Sequence, residues 1–399
     1  MPSVSTPWNV FVEGDNLDVL GWLAPGSVDL VYIDPPYNTG NDFAYRDRWG
    51  DHAAWVAMMR PRLEAARVVL RETGAIAVSI DDHEVAHLRL LLDEVFGEPA
   101  FLAQVVVNLN PKGRQLGGGF ATSHEYLLVY ARDSERCVLD ASSSETVDPR
   151  DFPLATDDGR RYRHLPLRNT NKKFNPATAR TMHFPLWGDP GSGEVSTAPF
   201  DGAVEVLPVF GDGTPAVWRW SAPLVDQRPG DLVCRTVSGR LGKRVDVFQR
   251  DWLDTSAAGV RRKKLRTVWL AEEVGSTDTA VAELKALVGH VFESPKPTGL
   301  VRRLLHTMPD DAVVLDFFAG SGTTGHAVAL ANAEDGGRRT CLSVNHAEPT
   351  RPGSNAHGAG LLTVADVTRA RLRAVAATVG GGYADVPVEG LAAYGRMEA

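Results

Sequence analysis

The stretch VVLDFFAGSGTTGHAV, residues 313–328, decides the fold. An apolar run ending in Asp316 reads as a buried strand, Gly320, Gly322 and Gly325 follow at the spacing GxGxxG, and a helix of small residues begins beyond them. In a strand–turn–helix of this kind the glycines carry no Cβ, so backbone can approach a nucleotide-like ligand closely. Taken alone, the spelling suits a dinucleotide dehydrogenase and an S-adenosylmethionine enzyme about equally. A phosphate-gripping P-loop fits less well, because His326 stands where a Lys would be needed. The bland alternative is a tight turn that serves geometry only.

Outward from this turn, strands and helices alternate at both ends of the chain. Residues 9–14 (NVFVEG), 28–34 (VDLVYID), 75–81 (AIAVSID), 101–109 (FLAQVVVNL), 125–133 (EYLLVYARD) and 339–344 (RTCLSV) read as strands. Helical periods cover 15–23, 83–97, 279–289, 299–308 and 364–377. Residues 52–74 carry another, which Pro61 is expected to break and Gly74 to close. The fold class is therefore α/β. From about residue 136 to 268 the alternation dissolves into short segments rich in Pro, Gly and Asp, with Trp187, Trp218, Trp220 and Trp252 spread among them. The expected organisation is a first catalytic part at 1–135, an inserted domain at 136–268, a second catalytic part at 269–378 and a loosely held tail at 379–399.

Composition narrows the class. The chain has 399 residues, 43% of them hydrophobic, enough for a substantial core and more than one domain. No run of about 18 apolar residues and no leader-like N-terminus is found, so the expectation is a cytoplasmic protein with no membrane contact. Cys137, Cys234 and Cys341 are scattered and odd in number, which argues against a disulfide framework or a zinc knuckle. A net charge of −8 gives no global attraction to polyanions, so nucleic-acid contact would need local basic surfaces. Three stretches offer them. The glycine-rich loop at 108–123 carries Lys112 and Arg114; 159–180 carries Arg161, Arg163, Lys172 and Lys173 with no acid; 260–266 carries Arg262 and Lys263. A solvated charged face is the alternative for each cluster.

Residues 31–40, VYIDPPYNTG, supply the chemistry. The exocyclic amine of adenine or cytosine is a poor nucleophile because its lone pair is delocalised into the ring. Hydrogen-bond acceptors draw that pair out. The Asp34 carboxylate and the Pro35 carbonyl can take the two amine hydrogens, and Pro35 and Pro36 contribute no competing N–H and hold the backbone rigid. Tyr37 offers a flat face for a base flipped out of its duplex. A second motif competes: HEVAH, residues 83–87, spells the HExxH of zinc peptidases. Its histidines fall on the flank of an amphipathic helix and a third ligand has no obvious supplier, so no metal is expected.

DPPY together with FAGSG resembles the amino-group DNA methyltransferases, and the order, DPPY early and the glycine motif late, is that of their permuted β class. VEGDNLDVL, YIDPPYNTGNDFAYRD, SIDDHEVAHLRLLLDEVFG, NPKGRQ, SHEYLLVYARD, ESPKPTGLVRRLL and TVADVTRARLR are similar to segments of type III restriction-modification methylation subunits and their free-standing relatives. The similarity spans roughly residues 9–135 and 268–375. It implies a Rossmann-like S-adenosylmethionine-dependent methyltransferase fold, circularly permuted, with an inserted target recognition domain. It also implies S-adenosyl-L-methionine as cofactor and N6-methyladenine in DNA as product, Asp before PPY being the version associated with adenine. Carried over by position, Asp34, Pro35, Pro36 and Tyr37 would meet the amine. Phe318, Ala319, Gly320, Ser321 and Gly322 would surround the cofactor with Asp316 at the same strand end, Lys296 and Pro297 would close over its methionine part, and Asp15 and Asn16 would lie near its adenine. Asn345 and Glu348 share the position where relatives hold the ribose. Double-stranded DNA is the implied substrate; a restriction or other defence subunit and a second copy of the chain are candidate partners. N4-cytosine methylation is the nearer alternative, RNA or a protein amide a further one, and a nicotinamide-dependent oxidoreductase or a silent DNA-binding protein the remote ones.

Overall fold

The computed structural model describes residues 7–40, 47–113, 119–239, 242–254 and 262–391. The chain divides into two compact units, one of residues 1–141 with 265–399 and one of residues 142–264.

The first unit is built on one sheet. Its strands in chain order are β1 (Asn9–Glu13), β2 (Val28–Ile33), β3 (Leu70–Ile80), β4 (Phe101–Val107), β5 (Glu125–Ala131), β6 (Val268–Trp269), β7 (Val313–Asp316), β8 (Thr340–Asn345) and β9 (Tyr383–Asp385). Their spatial order is β6-β4-β5-β3-β2-β7-β8-β1-β9. Pairing is parallel throughout except around β5, which runs against both β3 and β4. All six residues of β2 are buried. Successive side chains enter different cores, Leu30 and Tyr32 on one face and Val31 and Ile33 on the other. A strand covered on both faces has no polar side to show, which is why it reads as a nearly continuous apolar run.

Helices α1 (Asn16–Trp22), α2 (His52–Val69) and α3 (Val85–Phe96) supply the core that takes Val31 and Ile33; α4 (Thr277–Val288), α5 (Thr298–Leu305), α6 (Thr323–Asp335) and α7 (Val364–Thr378) belong to the second half of the chain. One expectation fails here: α2 runs through Pro61 and ends at Val69, while Gly74 lies inside β3. Pro61 and Ala57, whose carbonyl the proline cannot serve, both face solvent, and water can take that carbonyl. Trp55, Met58, Met59, Leu63, Ala66 and Val69 meanwhile bury the opposite face. Gly74 has a packing reason instead, since a Cβ there would meet the Asp29 carbonyl at 2.7 Å.

The smaller unit contains four-, three- and two-stranded antiparallel sheets. Trp218, Trp220, Leu186 and Val247 share its core, and the Trp218 indole donates to the Phe184 carbonyl at 2.8 Å. Among the described residues no helix is long and apolar enough to cross a membrane, and all three cysteines are free.

The β7–α6 turn is fixed from both ends. Gly320 (φ +51°) and Gly322 (φ +79°) occupy the left-handed region that an L side chain resists. Asp316, 3% exposed, accepts from the Phe318 N–H at 3.1 Å and from the Thr324 hydroxyl at 2.5 Å. Burial pushes this carboxyl up to about 7 against the opposing pull of those two bonds. Gly325 does a different job. A Cβ on it would meet Asn9 Oδ1 at 2.4 Å and Leu372 Cδ2 at 2.6 Å, so the third glycine lets α6 pack against its neighbours. Gly325→Ala should accordingly destabilise the protein by about 1–3 kcal/mol, read as a lower denaturation midpoint. Asp316 gives a pH signature. Its folded value lies above the ordinary 3.8, so between about pH 4 and 7 the folded chain binds more protons than the unfolded one and stability falls as pH rises through that window. The melting temperature of Asp316→Asn minus that of the wild type should therefore grow between pH 5 and pH 8.

Candidate active site

In an open α/β sheet, ligands bind beyond the carboxyl ends of the strands where the chain's path reverses. Here that point lies between β2, whose chain moves on to β3, and β7, whose chain moves on to β8 on the other side. A cavity of about 430 Å³ opens there, lined by Asp34 and Pro36 after β2, by Asp316 at the end of β7 and by residues 317–321 after it. This is the size of an ordinary small-molecule site.

Asp34 is the first residue beyond β2. Its Oδ1 accepts from the Tyr37 hydroxyl at 2.7 Å and lies 3.0 Å from Lys296 Nζ. Glu125, which opens β5, faces the same two groups: its Oε2 is 3.0 Å from the Tyr37 hydroxyl and 3.1 Å from Lys296 Nζ. The ammonium also sits 4.9 Å from the centre of the Tyr37 ring. Lys296 is only 10% exposed, Asp34 26% and Glu125 25%. Two carboxylates thus share one ammonium and one hydroxyl proton. Burial pushes Asp34 above the usual carboxylate range, Lys296 pulls it back and Glu125 adds to the rise. Tyr37 is driven up by burial and by both carboxylates. Pro35 is buried, and the Trp55 indole holds the Pro36 carbonyl at 2.7 Å.

The other residues singled out for a cofactor divide into lining and bracing roles. Asp15 and Asn16 line the cavity, and both also build the entry to α1. Asp15 caps that helix through the Leu17 N–H at 2.8 Å. Asn16 donates to the Phe317 carbonyl at 3.0 Å and accepts from Arg62 Nε at 2.7 Å, tying the two cavity walls together. Phe318, Ala319, Gly320 and Ser321 are in the wall, whereas Gly322 caps α6 and Pro297 is buried at the start of α5. Asn345 donates to the Gly320 carbonyl at 3.1 Å and lies 3.0 Å from the Thr368 hydroxyl; Glu348 lines the cavity three residues on. Glu125 and Arg62 escape a reading by motif. Glu125 is signalled only by an acid opening an apolar strand, and Arg62 looks like any charged residue on a helix.

The HEVAH histidines part company. His83 pairs with Asp81 at 2.9 Å, while Glu84, fully buried, lies between His52 at 3.0 Å and His87 at 3.1 Å. The His52 and His87 rings stack 4.1 Å apart at 17°. His52, absent from the motif, is thus the third group beside Glu84 and His87, with ligand atoms of all three within 4.8 Å of one another, and Glu84 Oε2 and His87 Nδ1 make no hydrogen bond among the described residues. Glu84 Oε1 also accepts from Asn38 Nδ2 at 2.9 Å. Asn38 follows Tyr37 and holds φ +60°, a conformation secured by this bond, by Asp47 to its N–H at 2.8 Å and by Trp49 N–H to its Oδ1 at 2.9 Å.

Folding brings acids to the basic residues expected on DNA. Lys112 pairs with Asp278 at 3.1 Å, Arg163 with Asp251 at 2.8 Å and Lys172 with Asp212 at 2.5 Å. Arg161 donates to the Phe152 carbonyl at 3.0 Å, Lys173 is exposed, and Asp148 lies in the field of Lys263. Arg114 lies outside the described residues, and Arg262 is described only through its backbone pairing with Thr146.

Comparison with known proteins places this geometry. Residues 28–337 match the model of the DNA methylase family of the N6 and N4 type. The type II methyltransferase M.KpnI of Klebsiella pneumoniae is 33% identical over 391 residues, covering 94% of this chain and 89% of that one. The Mod subunit of the type III restriction-modification enzyme EcoPI of Escherichia phage P1 is 32% identical over 409 residues, covering 92% of this chain and 62% of that one, so this chain spans about three fifths of the type III relative. Among solved structures, the PvuII DNA methyltransferase (cytosine-N4-specific) matches with a TM-score of 0.42 and 12% identity, over 96% of this chain and 98% of that one. By the extent of the family match and the identity to M.KpnI, the chain belongs to the N6/N4 DNA methylase family.

Proposed function

We propose that the chain transfers a methyl group from S-adenosyl-L-methionine to the N6 amine of adenine in a nucleotide flipped out of DNA. One observation carries the reading: the Asp34 acceptor cluster and the glycine turn open on a single cavity. The cavity fits the cofactor. Its wall combines apolar Phe292, Phe317 and Phe318 with Asp15, Asp316 and Glu348, a set suited to an aromatic base, a cation and sugar hydroxyls. Asn345 spends its amide N–H groups on the Gly320 carbonyl and the Thr368 hydroxyl, and the Glu348 carboxylate, with two acceptor oxygens, is the partner we assign to the ribose. The cofactor supplies an electrophilic methyl carried on a sulfonium. Asp34 accepts an amine N–H, drawing nitrogen lone-pair density out of the ring, and takes the proton that the methylated nitrogen sheds; its raised affinity for protons suits that second task. Tyr37 provides a rigid aromatic face, and oriented acceptors plus positioning supply the rate without a covalent enzyme intermediate.

The smaller unit is assigned to target recognition, with Arg161, Arg163, Lys172, Lys173 and Lys263 meeting phosphates, some only after releasing acid partners. The early acceptor strand and late glycine strand support reading the chain as a circularly permuted version of the methyltransferase fold. EcoPI and StyLTI relatives carry names of type III restriction-modification Mod subunits, and a restriction subunit is the corresponding partner here; N4-cytosine is the second reading, favoured by the family's breadth alone. Incubation with plasmid DNA and S-adenosylmethionine, followed by digestion to nucleosides, should yield N6-methyladenine. Asp34→Ala should abolish transfer while leaving cofactor affinity within a few-fold of wild type; near-normal turnover in that variant removes Asp34 from the chemistry.

A further inference from the structure

The buried cluster beyond β2 holds one oxygen of its acceptor. Asp34 receives an amine N–H through a lone pair, and its Oδ1 already faces the Lys296 ammonium at 3.0 Å and the Tyr37 hydroxyl at 2.7 Å; a cation and a donor on one oxygen draw charge from the whole carboxylate and weaken its other oxygen as an acceptor too. Drawing Lys296 away with nothing to receive it would strand an ammonium that is only 10% exposed, which is strongly unfavourable. Glu125 is within reach of both departing groups, Oε2 being 3.1 Å from Nζ and 3.0 Å from the Tyr37 hydroxyl. Each group therefore touches both carboxylates at once, and charge can pass from one to the other by a change in sharing. No large excursion is needed.

We infer that Glu125 is a positioning residue that takes over Lys296 and the Tyr37 hydroxyl when the target amine engages Asp34, restoring the full charge of the Asp34 carboxylate to the amine. The inference rests on the reading of Asp34 as the group that meets the amine. It explains why an acid opens β5, a strand whose last five residues are buried. It also gives Lys296 a role at the acceptor, as the exchangeable counter-ion of two acids. The charged and titratable groups facing Asp34 are Tyr32 within β2, Tyr37 in its own loop, Glu125 from β5, Lys296 from the segment before α5 and Asp316 at the end of β7. Of these, Glu125 disfavours the ionised form of Asp34 and Lys296 favours it.

The two neighbours should thus move Asp34 in opposite directions. In Glu125→Gln a negative neighbour is lost and Lys296 stays on Asp34: the acid limb of kcat/KM on plasmid DNA should move to lower pH, while kcat falls roughly tenfold or more and cofactor affinity, measured by calorimetry, stays within about twofold. In Lys296→Met the acid limb should move to higher pH. The carboxyl infrared band that disappears in Asp34→Asn should titrate with the same two opposite displacements in DNA-free protein, a readout independent of turnover. A Glu125→Gln enzyme with wild-type kcat, or with an acid limb unmoved or displaced upward, overturns the inference. Should that variant not fold, an acid limb in Lys296→Met that stays in place or moves down overturns it equally. If Asp34→Ala itself retains turnover, the fault lies with the assigned acceptor and not with Glu125.

Discussion

The parallel pairing of β2 with β7, Leu30 with Val314 and Val31 with Leu315, is the constraint on which the molecule depends. These strands come from opposite ends of the chain, and only their contact brings the DPPY segment and the glycine turn to one edge of the sheet. A slip of one residue would exchange the faces of β2 and turn Val31 and Ile33 away from the core they fill. Asp29 guards against it. Its carboxylate, 7% exposed, receives the Val313 N–H at 2.8 Å and the Arg71 guanidinium at 2.7 Å, so the start of β7 is pinned to β2 by a charge-assisted bond.

Electrostatics at that edge follow from the same pairing. An acid just beyond β2 and another at the end of its neighbour β7 place Asp34 close enough to raise the proton affinity of Asp316. Isolated carboxylates would not stay ionised in such a place. The chain answers differently at each: Asp316 is bound to its own turn, while Asp34 is matched by Lys296, a cation that Glu125 can also hold. An acid at a strand end next to a cavity is thus bonded to its own turn on β7 and paired with a distant cation on β2, although both are spelled the same way, as an apolar run closed by Asp.

What was legible in the sequence was whatever is local. The apolar runs of β2 and β7, and the glycines at 320 and 322, act through their own backbone, so spacing exposes them. Glu125 was not legible, because its place depends on β5 running antiparallel: only then does the first residue of that strand emerge at the edge where β2 ends. Pro61 misled in the other direction. A proline on the solvent side of α2 forfeits one hydrogen bond that water replaces, and the burial of Trp55, Met59 and Leu63 on the opposite side holds the helix together across it. The basic stretch at 159–180 contains no acid, yet Asp212 and Asp251 reach it from distant segments. Charge balance is a property of the fold, and no window of sequence can report it.

The HEVAH motif carries the same lesson into the site. Two histidines and a glutamate at zinc-peptidase spacing need a helix to bring His83 and His87 onto one face, but α3 begins only at Val85, leaving His83 in the preceding turn. Glu84 then points inward. Its buried carboxylate gathers His52, His87 and the Asn38 amide, and Asn38 is the residue that turns the chain immediately after Tyr37. The ring of Tyr37 is therefore set from both directions, by Asp34 and Glu125 at its hydroxyl and by the Glu84 cluster behind its backbone. The second and last letters of HEVAH thus meet a histidine from outside the motif, and their carboxylate braces the loop on which the proposed methyl acceptor must rest.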